Sequence, residues 1–254
     1  MISKTVYTKE YVNDLWMKYK KDPGLLERVL YAMGLLEAIT YVGMPFIFKG
    51  GSSLMLMFDH PLRLSTDIDI LVSPGTDVDH FIEDAAKIFP FLSYTEDRRI
   101  GRNKIEKRHF KFIYNSPVRN DTFYILLDVV FAESVYLAAE QHEIKNDLLI
   151  TEGAPVTVTI PSADCILGEK LTAFAPHTTG VPFGIDKEME IIKQHFDIAA
   201  LTEIIRNFDN TKETFNRAVI EEIGYRDTDT TREDVIERYY RICCLHRRKR
   251  FLCS

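Results

Sequence analysis

The sequence lacks the features that are typical of membrane proteins, secreted proteins and small domains stabilised by zinc. It contains no apolar run near the roughly 20 residues that a helix needs to cross a bilayer. The N-terminal stretch soon reaches charged residues, without the apolar core of a signal peptide. The 4 cysteines form no Cys-x-x-Cys pair and join no histidine cluster at zinc spacing. These absences predict a cytoplasmic protein with reduced thiols.

The composition is that of an ordinary folded protein. Hydrophobic residues make up 46% and charged residues 28% of the 254 positions, which excludes a disordered chain, a collagen-like fibre and a coiled-coil rod. The formal net charge is −6, so the surface as a whole does not attract nucleic acid. A nucleic-acid partner would therefore need a local basic patch.

Strands and helices are mixed in the first part of the chain, and nearly all of the second part is helical. Apolar patterning predicts strands at 46–48, 67–72, 109–114, 123–131 and 156–160. It predicts helices at 9–20, 25–39, 53–58, 77–88, 164–174 and 186–208, and from 212 and 232 onward. Thr8 and Asp22 are expected N-caps, and Thr76 with Asp79 resembles a capping box. We therefore expect an α+β domain with N-terminal helices over residues 1–161 and a helical domain over 162–254.

A glycine pair stands between a predicted strand and a predicted helix. The segment reads Lys49, Gly50, Gly51 and Ser52. Glycines allow backbone N–H groups to approach an anion closely, a helix N-terminus adds partial positive charge, and the Ser52 hydroxyl is a further donor. The segment predicts a phosphate-binding turn. The alternative is an ordinary tight turn with a serine N-cap.

Two aspartates alternate with apolar residues in the predicted strand 67–72. The period of two places Asp67 and Asp69 on one face and Ile68 on the other. Neighbouring carboxylates repel each other unless a positive group lies between them, and a site made only of oxygen ligands suits Mg²⁺ or Mn²⁺. The alternative is a strand end with two solvated aspartates.

A third carboxylate, Asp128, interrupts the otherwise apolar strand 123–131. A lone charge among apolar neighbours requires a partner. If this strand lies beside the first, Asp128 joins Asp67 and Asp69 around a metal. The alternative is an edge aspartate that caps a neighbouring group.

These motifs resemble the signature of the polymerase-β-type nucleotidyltransferase superfamily. The strings FKGGSSL at 48–54 and RLSTDID at 63–69 resemble most closely the AbiEii/AbiGii toxins of type IV toxin–antitoxin and phage-abortive systems. Downstream, 169–174 resembles the helix that carries the family's phosphate-binding lysine, and 190–198 resembles its aspartate-bearing helix. The resemblance spans 46–201. One departure is PHTTG at 176–180, where the family often has an arginine; whether His177 replaces it stays open.

The resemblance implies a polymerase-β-like nucleotidyltransferase domain with a mixed sheet, followed by a helical domain. It implies Asp67, Asp69 and Asp128 as ligands of Mg²⁺ or Mn²⁺, with Asp128 also accepting a proton. The residues implied in NTP binding are Lys49, Gly50, Gly51, Ser52, Arg63 and Lys170.

The resemblance further implies that Asp197 belongs to the active site, where it orients Lys170 or the base. Without the family, Lys170 is a surface lysine beside Glu169, and Lys193 with Asp197 is an exposed i,i+4 pair.

The acceptor implied by the resemblance is the 3′ end of tRNA, so that the chain acts as a toxin. Two basic clusters could bind RNA phosphates, although such clusters are often only solvated surface. The first consists of Arg98, Arg99, Arg102, Lys104, Lys107, Arg108 and Lys111, interleaved with His109 and Phe110, and the second of Arg241, Arg247, Arg248, Lys249 and Arg250, near Tyr239, Tyr240 and Phe251.

Other partners and functions follow from the same resemblance. A genetically linked winged-helix antitoxin is a candidate partner, without obligatory direct contact, and no membrane partner is expected. The alternatives are nucleotidyl transfer to a small molecule or a protein hydroxyl, and a nucleotide-binding module without catalytic activity.

Overall fold

The computed structural model describes residues 1–58, 60–97, 106–226 and 229–251, and the chain divides into two compact units. The first unit comprises Met1–Ser134 and Glu140–Ile160, and the second comprises Val135–Ala139 and Pro161–Ser254. In the described part of the chain, no helix is both long enough and apolar enough to cross a membrane.

The chain up to Pro161 mixes short helices and strands. A 3₁₀ turn at Lys4–Tyr7 precedes helices α1 (Lys9–Tyr19), α2 (Pro23–Tyr41), α3 (Gly50–Met57) and α4 (Asp79–Ala85). The strands are β1 (Ile47–Lys49), β2 (Ile68–Val72), β3 (Phe91–Glu96), β4 (Glu106–Ser116), β5 (Asp121–Phe131), β6 (Ala139–Glu143) and β7 (Thr157–Pro161).

The main sheet is mixed, with the strand order β1-β2-β5-β4-β3. Only the central pair, β2 and β5, is parallel among these described strands. In that pair Ile68 lies opposite Leu127, and the next residues along each strand are also in register. The α+β class with a mixed sheet, predicted from the sequence, is confirmed.

Alternating side chains give the sheet one buried face. Ile68, Ile70, Leu127 and Val129 are fully buried, and helix α2 packs against β2 and β5. The residues between them, including Asp69 and Asp128, therefore lie on the opposite face. This alternation places the polar positions of β2 and β5 together.

The buried Glu27 of α2 is held by three donors from the end of β4 and the turn after it. Its carboxylate accepts hydrogen bonds from the Tyr114 hydroxyl at 2.9 Å, the Ser116 hydroxyl at 2.8 Å and the Val118 N–H at 3.1 Å. A buried carboxylate is tolerated when its oxygens are satisfied in this way. The network ties helix α2 to the sheet that positions the candidate site.

Two of the three predicted N-terminal helix caps are confirmed. The Thr8 hydroxyl accepts from the Tyr11 N–H, and Asp22 accepts from the Leu25 N–H at 2.8 Å. The predicted capping box at Thr76 is wrong, because α4 begins at Asp79 after Val78 and the Thr76 hydroxyl donates to the Ser73 carbonyl.

Strands β3 and β6 were missed by the sequence analysis, and β4 begins at Glu106 rather than at His109. Half of the side chains of β3 and most of those of β6 are exposed. Strands with few buried side chains show little apolar alternation, so pattern reading does not detect them.

After Pro161 the described elements are helices: α5 (Ala163–Ala173), α6 (Glu188–Thr202), α7 (Phe208–Arg226) and α8 (Arg232–Phe251). Helix α5 packs against α6 and α7. Gly168 permits the crossing with α7, since a Cβ there would lie 2.5 Å from the Thr211 carbonyl oxygen.

The single helix predicted over 186–208 is wrong. Helix α6 ends at Thr202 and α7 begins at Phe208. The Asp164 carboxylate accepts the N–H groups of Arg206 at 2.8 Å and Asn207 at 3.1 Å, which stabilises the turn between the two helices. This contact joins residues far apart in sequence and leaves no local signal.

Candidate active site

The parallel pairing of β2 and β5 places two predicted site carboxylates side by side. Asp69 lies opposite Asp128 in the strand register, on the face away from α2. Asp67 immediately precedes β2, and its carboxylate accepts a bond from the Thr66 hydroxyl at 3.4 Å. The sequence-based expectation that the two strands are neighbours is therefore met for Asp69 and Asp128.

The donor chemistry of this face suits a hard divalent cation. Asp67, Asp69 and Asp128 supply only carboxylate oxygens, which are the ligands that Mg²⁺ prefers. Among the residues that the structure describes, no group of three or more His, Cys, Asp or Glu side chains is arranged to hold a metal ion. The three-carboxylate metal site thus stays a prediction, with two of its members in register.

The glycine turn lies against the acidic face. Gly50 has a positive φ of 78°, and a Cβ there would lie 2.3 Å from Asp69 Oδ2. A Cβ on Gly51 would lie 2.3 Å from Nη2 of Arg63. The backbone at the start of α3 therefore approaches a carboxylate at Gly50 and the end of the Arg63 side chain at Gly51. Lys49 is the β1 residue opposite Asp69.

Two serines fix the shape of this turn. Ser52 is fully buried, and its hydroxyl donates to the backbone carbonyl of Asp67. The Ser53 hydroxyl donates to the Gly50 carbonyl at 2.9 Å. The hydroxyl of Ser52, which the sequence analysis assigned to phosphate, is instead bonded to the chain itself. The N–H groups in the first turn of α3 have no partner within the helix and remain the predicted phosphate donors.

The structure adds His109, which the sequence analysis had placed only in a basic cluster. His109 lies opposite Asp128 in the β4–β5 register, and its Nδ1 is 2.6 Å from Asp128 Oδ1. Its neighbour Phe110 is buried on the α2 side, so the imidazole lies on the acidic face. The alternation of side chains along β4 could have predicted that His109 lies on the acidic face. Identifying Asp128 as its partner required the order of the strands in the sheet.

In the second unit, Lys170 and Asp197 form a buried ion pair. Lys170 Nζ is 2.8 Å from Asp197 Oδ2, and the two side chains are only 7% and 1% exposed. Gln194 Oε1 accepts from the same ammonium at 3.3 Å. The alternative of an exposed Lys193–Asp197 pair is wrong, because Lys193 is exposed and pairs with Glu190 at 3.1 Å.

Three described members of the basic clusters, Arg108, Lys111 and Arg241, contact carboxylates. Arg108 contacts Glu96 at 2.8 Å and Asp79 at 2.7 Å, and the hydrogen bond to Glu96 is the main reason that the pKa of Arg108 is raised. Lys111 is 3.4 Å from Asp97. Arg98, Arg99, Arg102 and Lys104, with the side chains of Arg247, Arg248, Lys249 and Arg250, lie outside the described residues.

Comparison with known proteins gives one family match. The family described as nucleotidyl transferase AbiEii toxin, type IV TA system, matches residues 35–239, a range that includes every predicted site residue. None of the curated proteins compared matches the chain.

Two solved structures are similar to the chain. An antigenic nucleotidyltransferase-like protein from Paracoccidioides brasiliensis is 14% identical with a TM-score of 0.49, over 84% of this chain and 92% of that one. A candidate nucleotidyltransferase from H. pylori is 13% identical with a TM-score of 0.41, over 81% and 99% of the two chains.

The close approach of Gly50 to Asp69 can be tested with alanine variants. Gly75 has the same φ of 78°, and no atom lies within 4 Å of a Cβ built there. Gly75→Ala should therefore lower the free energy of unfolding by the backbone strain alone, about 1–2 kcal/mol. Gly50→Ala should lower the free energy of unfolding by about 1–3 kcal/mol more, because the methyl group must displace the Asp69 carboxylate. Urea unfolding followed by fluorescence of Trp16, the single tryptophan, measures both. An equal loss of unfolding free energy in the two variants would contradict the close approach of Gly50 to Asp69.

The buried ion pair predicts a non-additive pattern of stability. Asp197→Leu should cost about 3–5 kcal/mol of unfolding free energy, because it leaves the Lys170 charge buried without its carboxylate. Adding Lys170→Met should recover much of that loss. Lys193→Met, in the exposed pair, should cost under about 1 kcal/mol. Far-UV circular dichroism during urea unfolding measures each variant, and an Asp197→Leu variant as stable as Lys193→Met would rule out the pair.

Proposed function

The chain belongs to the AbiEii family of nucleotidyltransferase toxins from type IV toxin–antitoxin systems, and we propose that it uses a divalent metal to transfer a nucleoside monophosphate from an NTP to the 3′ end of tRNA. The observation that carries the chemistry is the register of Asp69 with Asp128 beside the glycine turn. Paired carboxylates next to backbone N–H donors suit a metal-bound triphosphate.

The metal-binding role falls to the three aspartates of the first unit. Asp67 and Asp69 would hold two cations, and Asp128 would hold the one nearer the acceptor. Mg²⁺ or Mn²⁺ bound there would neutralise the charge that develops on the oxygens around the α-phosphorus. Because Ser52 anchors the Asp67 carbonyl, the backbone that presents Asp67 is fixed to the start of α3.

The nucleotide would be held by backbone and cationic groups. The N–H groups of Gly50, Gly51 and Ser52 would bind the β- and γ-phosphates, and the guanidinium of Arg63 lies against that turn. Lys49, opposite Asp69 in the register, is a further cation for the same phosphates.

On the family resemblance, we assign Lys170 to the binding of the triphosphate. Asp197 holds its ammonium, with Gln194 as a second acceptor. Such partners restrict the positions of a long, flexible side chain before the ligand binds. The role proposed for Asp197 is therefore to orient Lys170.

The transfer itself needs one bond made and one broken. The acceptor hydroxyl oxygen attacks the α-phosphorus, and the bond from that phosphorus to the oxygen bridging to the β-phosphate breaks. Pyrophosphate leaves, and the hydroxyl proton passes to Asp128, which acts as the general base. The nucleotide ends on the acceptor as a phosphodiester.

The choice of tRNA rests on the family resemblance. In the described part of the chain, Arg108 and Lys111 contact carboxylates, so these two residues give little support to an RNA surface. As a toxin of such a system, the protein would act in the cytoplasm, and a genetically linked antitoxin could oppose it without binding it.

An acceptor assay tests this function directly. NTPs labelled at the α-phosphate are incubated with Mg²⁺, the protein and one of three acceptor pools: tRNA, protein or small hydroxyl compounds. Label should appear on intact tRNA and be absent from tRNA whose 3′-terminal ribose has been oxidised with periodate. Label found only on protein or on a small molecule would reject the tRNA proposal, and no transfer in any pool would favour a binding module.

The role of Asp128 is tested by two conservative changes in one strand. Asp128→Asn should lower the transfer rate by at least about a thousandfold, since several kcal/mol of transition-state stabilisation are lost and each 1.4 kcal/mol is tenfold. Asp121→Asn, at the exposed start of β5, should keep the wild-type rate. Single-turnover transfer rates provide the measurement. A fully active Asp128→Asn variant would remove this residue from the mechanism.

A further inference from the structure

We propose that His109 is a positioning residue that orients the Asp128 carboxylate for metal binding. The proposal rests on the proposed function, because it assumes that Asp69 and Asp128 bind a cation. It assigns a task to a side chain that the mechanism above does not use.

The geometry of the pair is that of a charge-assisted hydrogen bond. His109 Nδ1 lies 2.6 Å from Asp128 Oδ1, and the two side chains are 18% and 32% exposed. An ionised carboxylate can only accept hydrogen bonds. The proton of this bond is therefore carried by Nδ1 of the imidazole, which donates it to Asp128.

The sheet fixes both partners of this bond. Asp69, Asp128 and His109 are opposite one another on three neighbouring strands, so they form one row across the same face. The backbone of β4 is held from its other side as well, because the Asp97 N–H donates to the His109 carbonyl at 2.8 Å. The imidazole thus projects from a strand that is paired on both edges.

The row explains why Asp128 needs a partner. Two like charges opposite each other on adjacent strands repel, and each carboxylate would rotate away from the other. The imidazole N–H holds one oxygen of Asp128 on the β4 side, which leaves the second oxygen for the side of Asp69. A cation between the two aspartates then meets a carboxylate that is already oriented.

The loss of such a partner has a characteristic size. Removing a hydrogen-bond partner of a metal ligand typically weakens metal binding by about 10–100-fold. Two substitutions separate the hydrogen bond from packing. His109→Phe keeps an aromatic ring and removes the donor, whereas His109→Asn keeps an amide N–H near the position of Nδ1.

The experiment titrates the full-length chain with Mn²⁺ alone and measures free Mn²⁺ by electron paramagnetic resonance. His109→Phe should raise the Kd for Mn²⁺ by about tenfold or more, and His109→Asn should stay within about threefold of the wild type. Far-UV circular dichroism checks that each variant is folded. If His109→Phe does not fold, His109→Leu replaces it as the variant without a donor.

Three outcomes would overturn the proposal. An unchanged Kd in the variant without a donor shows that the imidazole does not orient Asp128. Equal weakening by Phe and Asn shows that the donor is not the reason. Asp69→Asn serves as the control for the site itself: if the wild type does not bind Mn²⁺, or Asp69→Asn binds it equally well, the proposed metal site fails and the role of His109 fails with it.

Discussion

Strands β2 and β5 pair in parallel, and this pairing decides which polar side chains meet on one face of the sheet. It places Asp69 beside Asp128 on the face of the sheet away from α2. Two carboxylates in that arrangement repel unless donors or cations surround them. The groups placed around them follow from this need: the His109 imidazole bonds to Asp128, and the backbone of Gly50 adjoins Asp69.

In the second unit, the charges that need partners are of opposite sign. There a single lysine and a single aspartate are buried together, and Gln194 supplies a further acceptor to the ammonium. A buried pair of this kind is costly to break, although it is not a strong source of stability by itself. The burial of both partners agrees with the proposed task of holding Lys170 in one position.

Much of the site was predictable because its signals are local. The glycine turn between a strand and a helix, and the alternation of Asp69 with buried isoleucines, can be seen within a few residues. What could not be predicted depends on the partner strand or helix. The bond from His109 to Asp128 requires the order of β5 and β4, and the break before Phe208 requires Asp164 from another helix. The Ser52 hydroxyl was assigned to phosphate because the Asp67 carbonyl that it contacts is distant in the sequence.

A crystal of the chain soaked in Mn²⁺, with data collected for anomalous scattering, tests whether these aspartates bind a metal. We expect an anomalous peak between the carboxylates of Asp69 and Asp128, with Asp67 turned toward it. Carboxylates that point apart, with no anomalous peak on that face of the sheet, would contradict this expectation.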